Sequence, residues 1–416
     1  MKTSLSRDGS ARWWMLLLLS LGFVQLTLNW FNIAAAFSVI GPRFGLQVPQ
    51  LALLISLFLA GYGIFHIPTG FLAYRFGLRN TLLAGILLES LGTIATALAP
   101  DYAWLLVLRI ITGVGASLFV GCGFSMVTSW FRGRELALAL GISGGAAFAL
   151  GAALGLFAWV SLIEAVSWSM ALLIGGLIGM LIFAVSLVWL RTPDDEQVEL
   201  EAKAIRWSAV GRVLGNKDLW LLGLALLGAY GAYFTASQLM STYAVATFHF
   251  SEGQAGLMAA VIVLAGIPGS IIGGYFADRA RALKLVILAP PLLLGLGLLV
   301  LPFAGVVGTW IIAVFVGFLL IYSFAAWTAS PGHYSDQIFP EDVATAEGLM
   351  LTLAAVGGFL VPLGFGLIEA ASGFTGAWIF LGVVSIIFAV IGFAAREPLK
   401  APAQQEARIA VEEGVK

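Results

Sequence analysis

Apolar runs of about 20 residues, each long enough to cross a bilayer core as a helix, recur twelve times along this chain of 416 residues. They lie near 13–36, 49–72, 80–99, 102–128, 135–158 and 166–190, and again near 218–247, 253–276, 284–303, 308–330, 344–370 and 375–394. In lipid, each buried peptide group must find its hydrogen bond within its own helix, so these runs predict an all-α membrane protein of twelve transmembrane helices. Composition agrees: 60% of residues are hydrophobic and 10% charged, against roughly 25% charged in a soluble domain. The first run is longer than a signal-peptide core. Ala34-Ala35-Ala36 resembles a cleavage site, but removing the segment would leave eleven spans and break the repeat described below.

The loops fix an expected orientation, because Lys and Arg are retained on the cytoplasmic side. With the N-terminus inside, Lys2, Arg7, Arg12, Arg75, Arg79, Arg132, Arg134, Arg191, Lys203, Arg206, Arg212 and Lys217 all fall inside. So do Arg279, Arg281, Lys284, Arg396, Lys400, Arg408 and Lys416, which makes nineteen of the 21 basic residues. Arg43 falls outside and Arg109 within a span. Both termini are therefore expected in the cytoplasm, with the chain multi-pass in the cell inner (plasma) membrane.

Other classes are disfavoured. With 21 basic and 22 acidic residues there is no basic stripe for nucleic acid. Cys122 is the single cysteine, and His66, His249 and His333 lack zinc-site spacing, so no metal or other cofactor is expected. No phosphate-binding Gly-x-x-x-x-Gly-Lys-Ser/Thr loop is present, which disfavours ATP-driven transport, and no enzyme signature is found.

The organisation is bipartite. A cytoplasmic N-terminus (1–12) leads to a six-helix half (13–190), a linker (191–217), a second six-helix half (218–394) and a cytoplasmic tail (395–416). The linker holds the acidic cluster Asp194-Asp195-Glu196, and Trp207 to Leu214 within it is either a short interfacial helix or plain linker. Gly70-Phe-Leu-Ala-Tyr74-Arg75 after the second span answers Gly274-Tyr-Phe-Ala-Asp278-Arg279 after the eighth, and Trp104 answers Trp310. Gly141 and Gly151 answer Gly348 and Gly358. Matching positions in matching orientation mean two parallel halves, related by an axis along the membrane normal.

These residues resemble the major facilitator superfamily over essentially the whole chain. Its loop signature Gly-x-Leu-Ala-Asp-Arg-x-Gly-Arg-Lys stands here as Gly70 to Arg79, with Tyr74 in place of the usual Asp, and its fourth-span signature stands as Arg109-Ile-Ile-Thr-Gly113-Val-Gly115. Trp130-Phe131-Arg132-Gly133-Arg134-Glu135 is similar to members that carry organic anions. The resemblance implies secondary transport by alternating access. The Pro among glycines of drug/proton antiporters is missing from Gly141 to Gly155, and the paired span-2 and span-8 arginines of nitrate porters are missing as well.

Candidate site residues follow from the costs of placing polar groups in lipid. Arg109 either attracts an anionic substrate and takes part in coupling, or braces the first span. Glu89 is either a structural carboxyl, neutral near pH 7 if it has no cationic neighbour, or a proton relay. His66 is a third candidate for proton coupling, unless it is a simple packing residue. Gln25, Asn29 and Asn32 share one face of the first span at i, i+4 and i+7. Tyr230, Tyr233, Gln238, Ser241 and Thr242 in the seventh span join Tyr322, Trp327, Ser330 and His333 in the tenth as substrate-binding candidates, unless they serve interhelical hydrogen bonds. For gating, Gly70, Tyr74, Arg75, Arg79, Gly274, Asp278, Arg279 and Glu347 are expected at the cytoplasmic face. Asp278 is expected by the start of the fifth span near Glu135, and Arg75 or Arg79 opposite Asp342 or Glu347. The expectation is a monomeric, gradient-driven carrier of a small organic solute, leaning to an organic anion with proton symport. Export of an amphipathic compound and a transport-fold sensor are the alternatives.

Overall fold

The computed structural model describes residues 9–131, 135–193, 207–279, 282–334, 338–339 and 342–397, and among these every regular element is helical. Span 1 is Gly9–Ala35, extended by a short helix Phe37–Phe44. Span 2 is Val48–Ile64 followed by His66–Phe76. Pro68 has no N–H to give the Ile64 carbonyl, which accounts for the break at Phe65. Spans 3, 4 and 6 are Leu78–Ala97, Tyr102–Phe131 and Trp168–Trp189, and span 5 runs through Leu136–Leu140, Phe148–Ala153 and Trp159–Ala165. Between those pieces Gly141–Ala147 and Leu154–Ala158 are π-helical.

The second half opens with Lys217–Phe248, Glu252–Arg279 and Leu283–Val300, followed by Gly305–Ala329. The helical stretch Val343–Gly392 runs for 50 residues, and at 1.5 Å per residue a straight helix of that length would be more than twice as long as a bilayer core is thick. Gly373 breaks it with φ 73° and ψ −178°, giving spans 11 and 12 and a total of twelve. A helix does form at Trp207–Leu214, in the linker.

Glycine permits the backbone contacts on which this bundle depends. A Cβ on Gly151 would sit 2.1 Å from the Val24 carbonyl of span 1, and one on Gly113 would sit 2.1 Å from the Phe58 carbonyl of span 2. In the loop motif, Gly77 turns span 2 into span 3 with φ 84°.

The bundle has two ends: a near end, where span 1 begins, and a far end, where it finishes. The halves meet along spans 2 and 11, which run antiparallel. A Cβ on Gly366 would lie 2.7 Å from Pro49 Cα, and toward the near end one on Gly63 would lie 2.4 Å from Ala355 Cβ. Spans 5 and 8 meet in the same way, since a Cβ on Gly256 would lie 2.6 Å from the Leu156 carbonyl.

Candidate functional site

Arg109 is 2% exposed and lies one turn from the glycines that seat span 4 on span 2. Its Nε donates to the Leu54 carbonyl at 3.2 Å and its Nη2 to the Trp30 carbonyl at 3.2 Å, so one guanidinium ties spans 1, 2 and 4 together. Its central carbon stands 4.4 Å from the centroid of the Phe58 ring. A buried cation is tolerable here because carbonyl dipoles and a ring face replace part of its hydration.

Phe58 opens into an aromatic cluster centred on Trp30. The indole lies 4.5 Å from Phe58, 5.2 Å from Tyr62 and 5.9 Å from Phe148 between centroids. From the other half Phe234 stacks on it at 5.0 Å. Tyr230 and Tyr233 flank Phe234 at 4.8 and 5.1 Å, and Phe324 lies 6.3 Å from Tyr230. His66 packs edge-on against Tyr62 at 4.3 Å, its Nδ1 3.0 Å from Ser117 Oγ. The indole Nε1 of Trp30 is buried without a hydrogen-bond partner, as is Gln238 Oε1, although Gln238 Nε2 donates to Phe234 O on its own helix.

Of the residues singled out in the sequence, the fold thus brings together Arg109, His66, Tyr230 and Tyr233, with Gln238 a turn beyond Phe234. Ser241 and Thr242, further along span 7, are half-buried. The amide face of span 1 points elsewhere, into its own half. Gln25 Nε2 donates to Glu89 Oε2 of span 3 at 2.7 Å, Asn29 Nδ2 to Gly175 O of span 6 at 3.3 Å, and Asn32 Nδ2 to Asn29 Oδ1 at 3.2 Å. Glu89 is fully buried, and the Gln25 that bonds it stands five residues before the Trp30 whose carbonyl Arg109 holds. Trp327 donates Nε1 to Leu222 O within the second half, and Ser330 Oγ bonds the Trp327 carbonyl. Tyr322 packs on Phe276 and Phe318, where span 10 meets span 8. The side chain of His333 lies outside the described residues.

At the near end Gly70 and Tyr74 are exposed, Arg75 is exposed over the Phe76 ring, and Gly274 is half-buried. Arg279 stacks on Tyr275, and Glu347 is half-buried. The expected partners sort differently. Arg79 donates to the Leu187 and Leu190 carbonyls at the end of span 6, and Asp342 pairs with Arg212 of the linker helix, Nε to Oδ2 at 2.7 Å. Glu135 pairs with Arg12. The Asp278 side chain lies outside the described residues. Among the described residues no group of three or more His, Cys, Asp or Glu is placed to hold a metal.

Sequence reasoning missed Trp30, Phe58, Tyr62, Phe148 and Phe234, because apolar rings inside apolar spans carry no contrast. A signal was present in the spacing: Phe58, Tyr62 and His66 fall at i, i+4 and i+8, and Tyr230 and Phe234 at i, i+4.

Residues 19–338 match the family model of the Major Facilitator Superfamily. The chain belongs to this superfamily. The hexuronate transporter of Escherichia coli (strain K12) is 23% identical over 91% of this chain and 93% of its own length. The hexuronate transporter of Bacillus subtilis (strain 168) is 26% identical over 87% and 89%, and a probable nitrate/nitrite antiporter of Thermus thermophilus is 25% identical over 89% and 88%. A bacterial homolog of the human lysosomal transporter Spinster, solved inward-facing and unoccupied, superposes with a TM-score of 0.78 at 17% identity, covering 93% of this chain and 97% of that one. This superfamily member is a membrane-embedded transporter of small solutes and not an enzyme.

Proposed function

We propose that this transporter carries a small organic anion of the carboxylated-sugar class together with a proton by alternating access, with Arg109 as the charge that selects the anion. The observation that carries the reading is the position of Arg109: a buried guanidinium behind the ring cluster where the two halves meet, with Nη1 claimed by neither the Trp30 nor the Leu54 carbonyl. A carboxylate at Nη1 and sugar carbon faces on Tyr62 and Tyr230 would use both features of the site. Hexuronate and galactarate/D-glucarate transporters among the relatives support this class over inorganic nitrate, and the site holds one arginine rather than two. The basic loops support a cytoplasmic near end. The halves touch at the far end, Gly366 on Pro49 and Gly256 on Leu156, as well as toward the near end, Gly63 on Ala355, and the far-end contacts must part for the outward-facing step of the cycle proposed here.

The test is thermal stabilisation of purified protein by hexuronates, aldarates, galactonate, nitrate and lipophilic cations, followed by proteoliposome uptake of whichever stabilises it. Stabilisation by one or more sugar acids, with uptake driven by an inward proton gradient, is expected. Stabilisation by nitrate or lipophilic cations alone would overturn the reading.

A further inference from the structure

Glu89 and Gln25 meet in the interior of the first half, and together they are short of a donor. Gln25 Nε2 donates to Glu89 Oε2 at 2.7 Å, yet Glu89 Oε1 and Gln25 Oε1 are both buried without any hydrogen-bond partner. A carboxylate only accepts, and so does an amide oxygen. Two unpartnered acceptors on one buried, hydrogen-bonded pair of side chains are strongly unfavourable in a low-dielectric interior. A single proton on Glu89 Oε1 would supply the missing donor, and the amide already bonded to this carboxyl carries the acceptor Gln25 Oε1 that needs one. Packing holds the pair in register: a Cβ on Gly115 would lie 2.6 Å from Glu89 N, and one on Gly179 would lie 2.7 Å from Gln25 Nε2.

We infer that Glu89, held by Gln25, is the proton-binding site of this carrier, and that it governs anion binding through the Arg109 charge. The inference rests on the anion reading above. Span 1 carries Gln25 and the Trp30 carbonyl that Arg109 holds five residues further on, about 7 Å along the helix. Span 1 thus joins the Glu89 site to the Arg109 site through a low-dielectric interior, in which charges act on each other over such separations. The other elements packed on span 3 contribute no competing charge near Glu89. Span 6 has no titratable residue, span 1 offers only Gln25 at this level, and the His66–Phe76 segment has its His66 engaged with Ser117 Oγ and its Tyr74 and Arg75 at the near end. When Glu89 is ionised it offsets Arg109 and weakens anion binding. When Glu89 takes up a proton the Arg109 charge is released for the substrate carboxylate. Proton and anion then favour each other by the same factor whichever binds first, which is the thermodynamic requirement for symport.

Infrared difference spectroscopy of the full chain in lipid, titrated across pH without any anion, tests the proton site directly. A protonated-carboxyl band that titrates in wild type and is missing from Glu89→Gln is expected; an identical titration in both proteins overturns the assignment. Anion coupling is read separately with D-glucuronate as the probe, by proton uptake in weakly buffered solution and by transport. Wild type should take up about one proton per anion, with affinity falling at least about tenfold as Glu89 ionises. Glu89→Gln should bind the anion without proton uptake, and should support counterflow while losing gradient-driven accumulation. Gradient-driven accumulation by Glu89→Gln overturns the inference. A titrating Glu89 band in a protein that no sugar acid stabilises would instead overturn the anion reading and leave the proton site standing. Glu89→Asp, which restores the acid on a shorter arm, should recover the band and part of the accumulation, separating loss of the proton from loss of folding.

Discussion

The indole of Trp30 and the ring of Phe234 lie 5.0 Å apart and 2° from parallel, joining span 1 to span 7 across the boundary between the halves. Both are nearly inaccessible, and both must separate when the far end opens. An aromatic pair contributes about 0.5–1.5 kcal/mol beyond its buried area. Phe234→Leu, which keeps most of the burial and loses the stack, should therefore raise the outward-facing population roughly two- to tenfold. Spin-label distances across the far end, in a Cys122→Ala background, measure it. An unchanged distance distribution would show that the stack does not hold the gate.

Arg109 braces spans 1, 2 and 4, and variants should separate that duty from the anion binding proposed for it. Arg109→Ala should abolish uptake. It should also lower the melting temperature, because the Trp30 and Leu54 carbonyls lose a charged donor, a loss of about 1–3 kcal/mol. Arg109→Lys keeps the charge without the planar fork, so partial uptake at best is expected, with a smaller stability loss. Wild-type uptake by the Ala protein would remove Arg109 from the site.

The twelve spans and their pairing into halves were legible because lipid punishes an unsatisfied backbone wherever it occurs, and long apolar runs are the consequence. Arg109 and Glu89 were legible for a related reason, as ionisable groups in apolar runs. What each faces was not. Gln25, Asn29 and Asn32 share a face, and periodicity says so, but it does not say whether that face meets the other half or spans 3 and 6. Glycines decide it: Gly175 and Gly179 let span 6 approach span 1 closely enough for those amides to be used inside one half. Arg79 shows the same limit. Its charge pointed to an acidic partner, whereas the open carbonyls at the end of span 6 are nearer and equally good acceptors.

Glycine contacts between backbones should be intolerant of a single methyl. A Cβ on Gly317 would fall 1.7 Å from the Ile262 carbonyl oxygen, so Gly317→Ala must push spans 8 and 10 apart, with a loss of about 1–3 kcal/mol or more. Gly348 in span 11 has no atom within 4 Å of such a Cβ, and Gly348→Ala should be neutral or stabilising by up to about 1 kcal/mol through helix propensity. Melting temperatures of the two variants in one detergent make the comparison. Equal losses would mean that backbone proximity is not what these glycines provide.

Arg212 and Asp342 join the linker helix to the start of span 11 by an ion pair. Arg212 lies on the linker helix, and its Nε and Nη2 donate to the two oxygens of Asp342 at 2.7 and 2.8 Å, with the guanidinium 5.3 Å from the Phe339 ring. Asp342 stands immediately before span 11 and is 2% exposed, whereas the Arg212 side chain is 41% exposed. The pair therefore has the bidentate geometry of a strong bond with only partial desolvation, and about 1–3 kcal/mol is expected for it. Asn216 caps span 7 through the amides of Asp218 and Leu219, and Trp220 Nε1 donates to Leu214 O, so the linker helix is fastened to spans 7 and 11 together. Releasing it should loosen the start of span 11. Arg212→Ala and Asp342→Ala should each speed amide exchange in residues 207–214 and lower the melting temperature. Because each side chain has other neighbours, the decisive quantity is the coupling in a double-mutant cycle. The double variant should lose clearly less than the sum of the single losses. Additive losses would show that the ion pair itself contributes nothing to holding the helix.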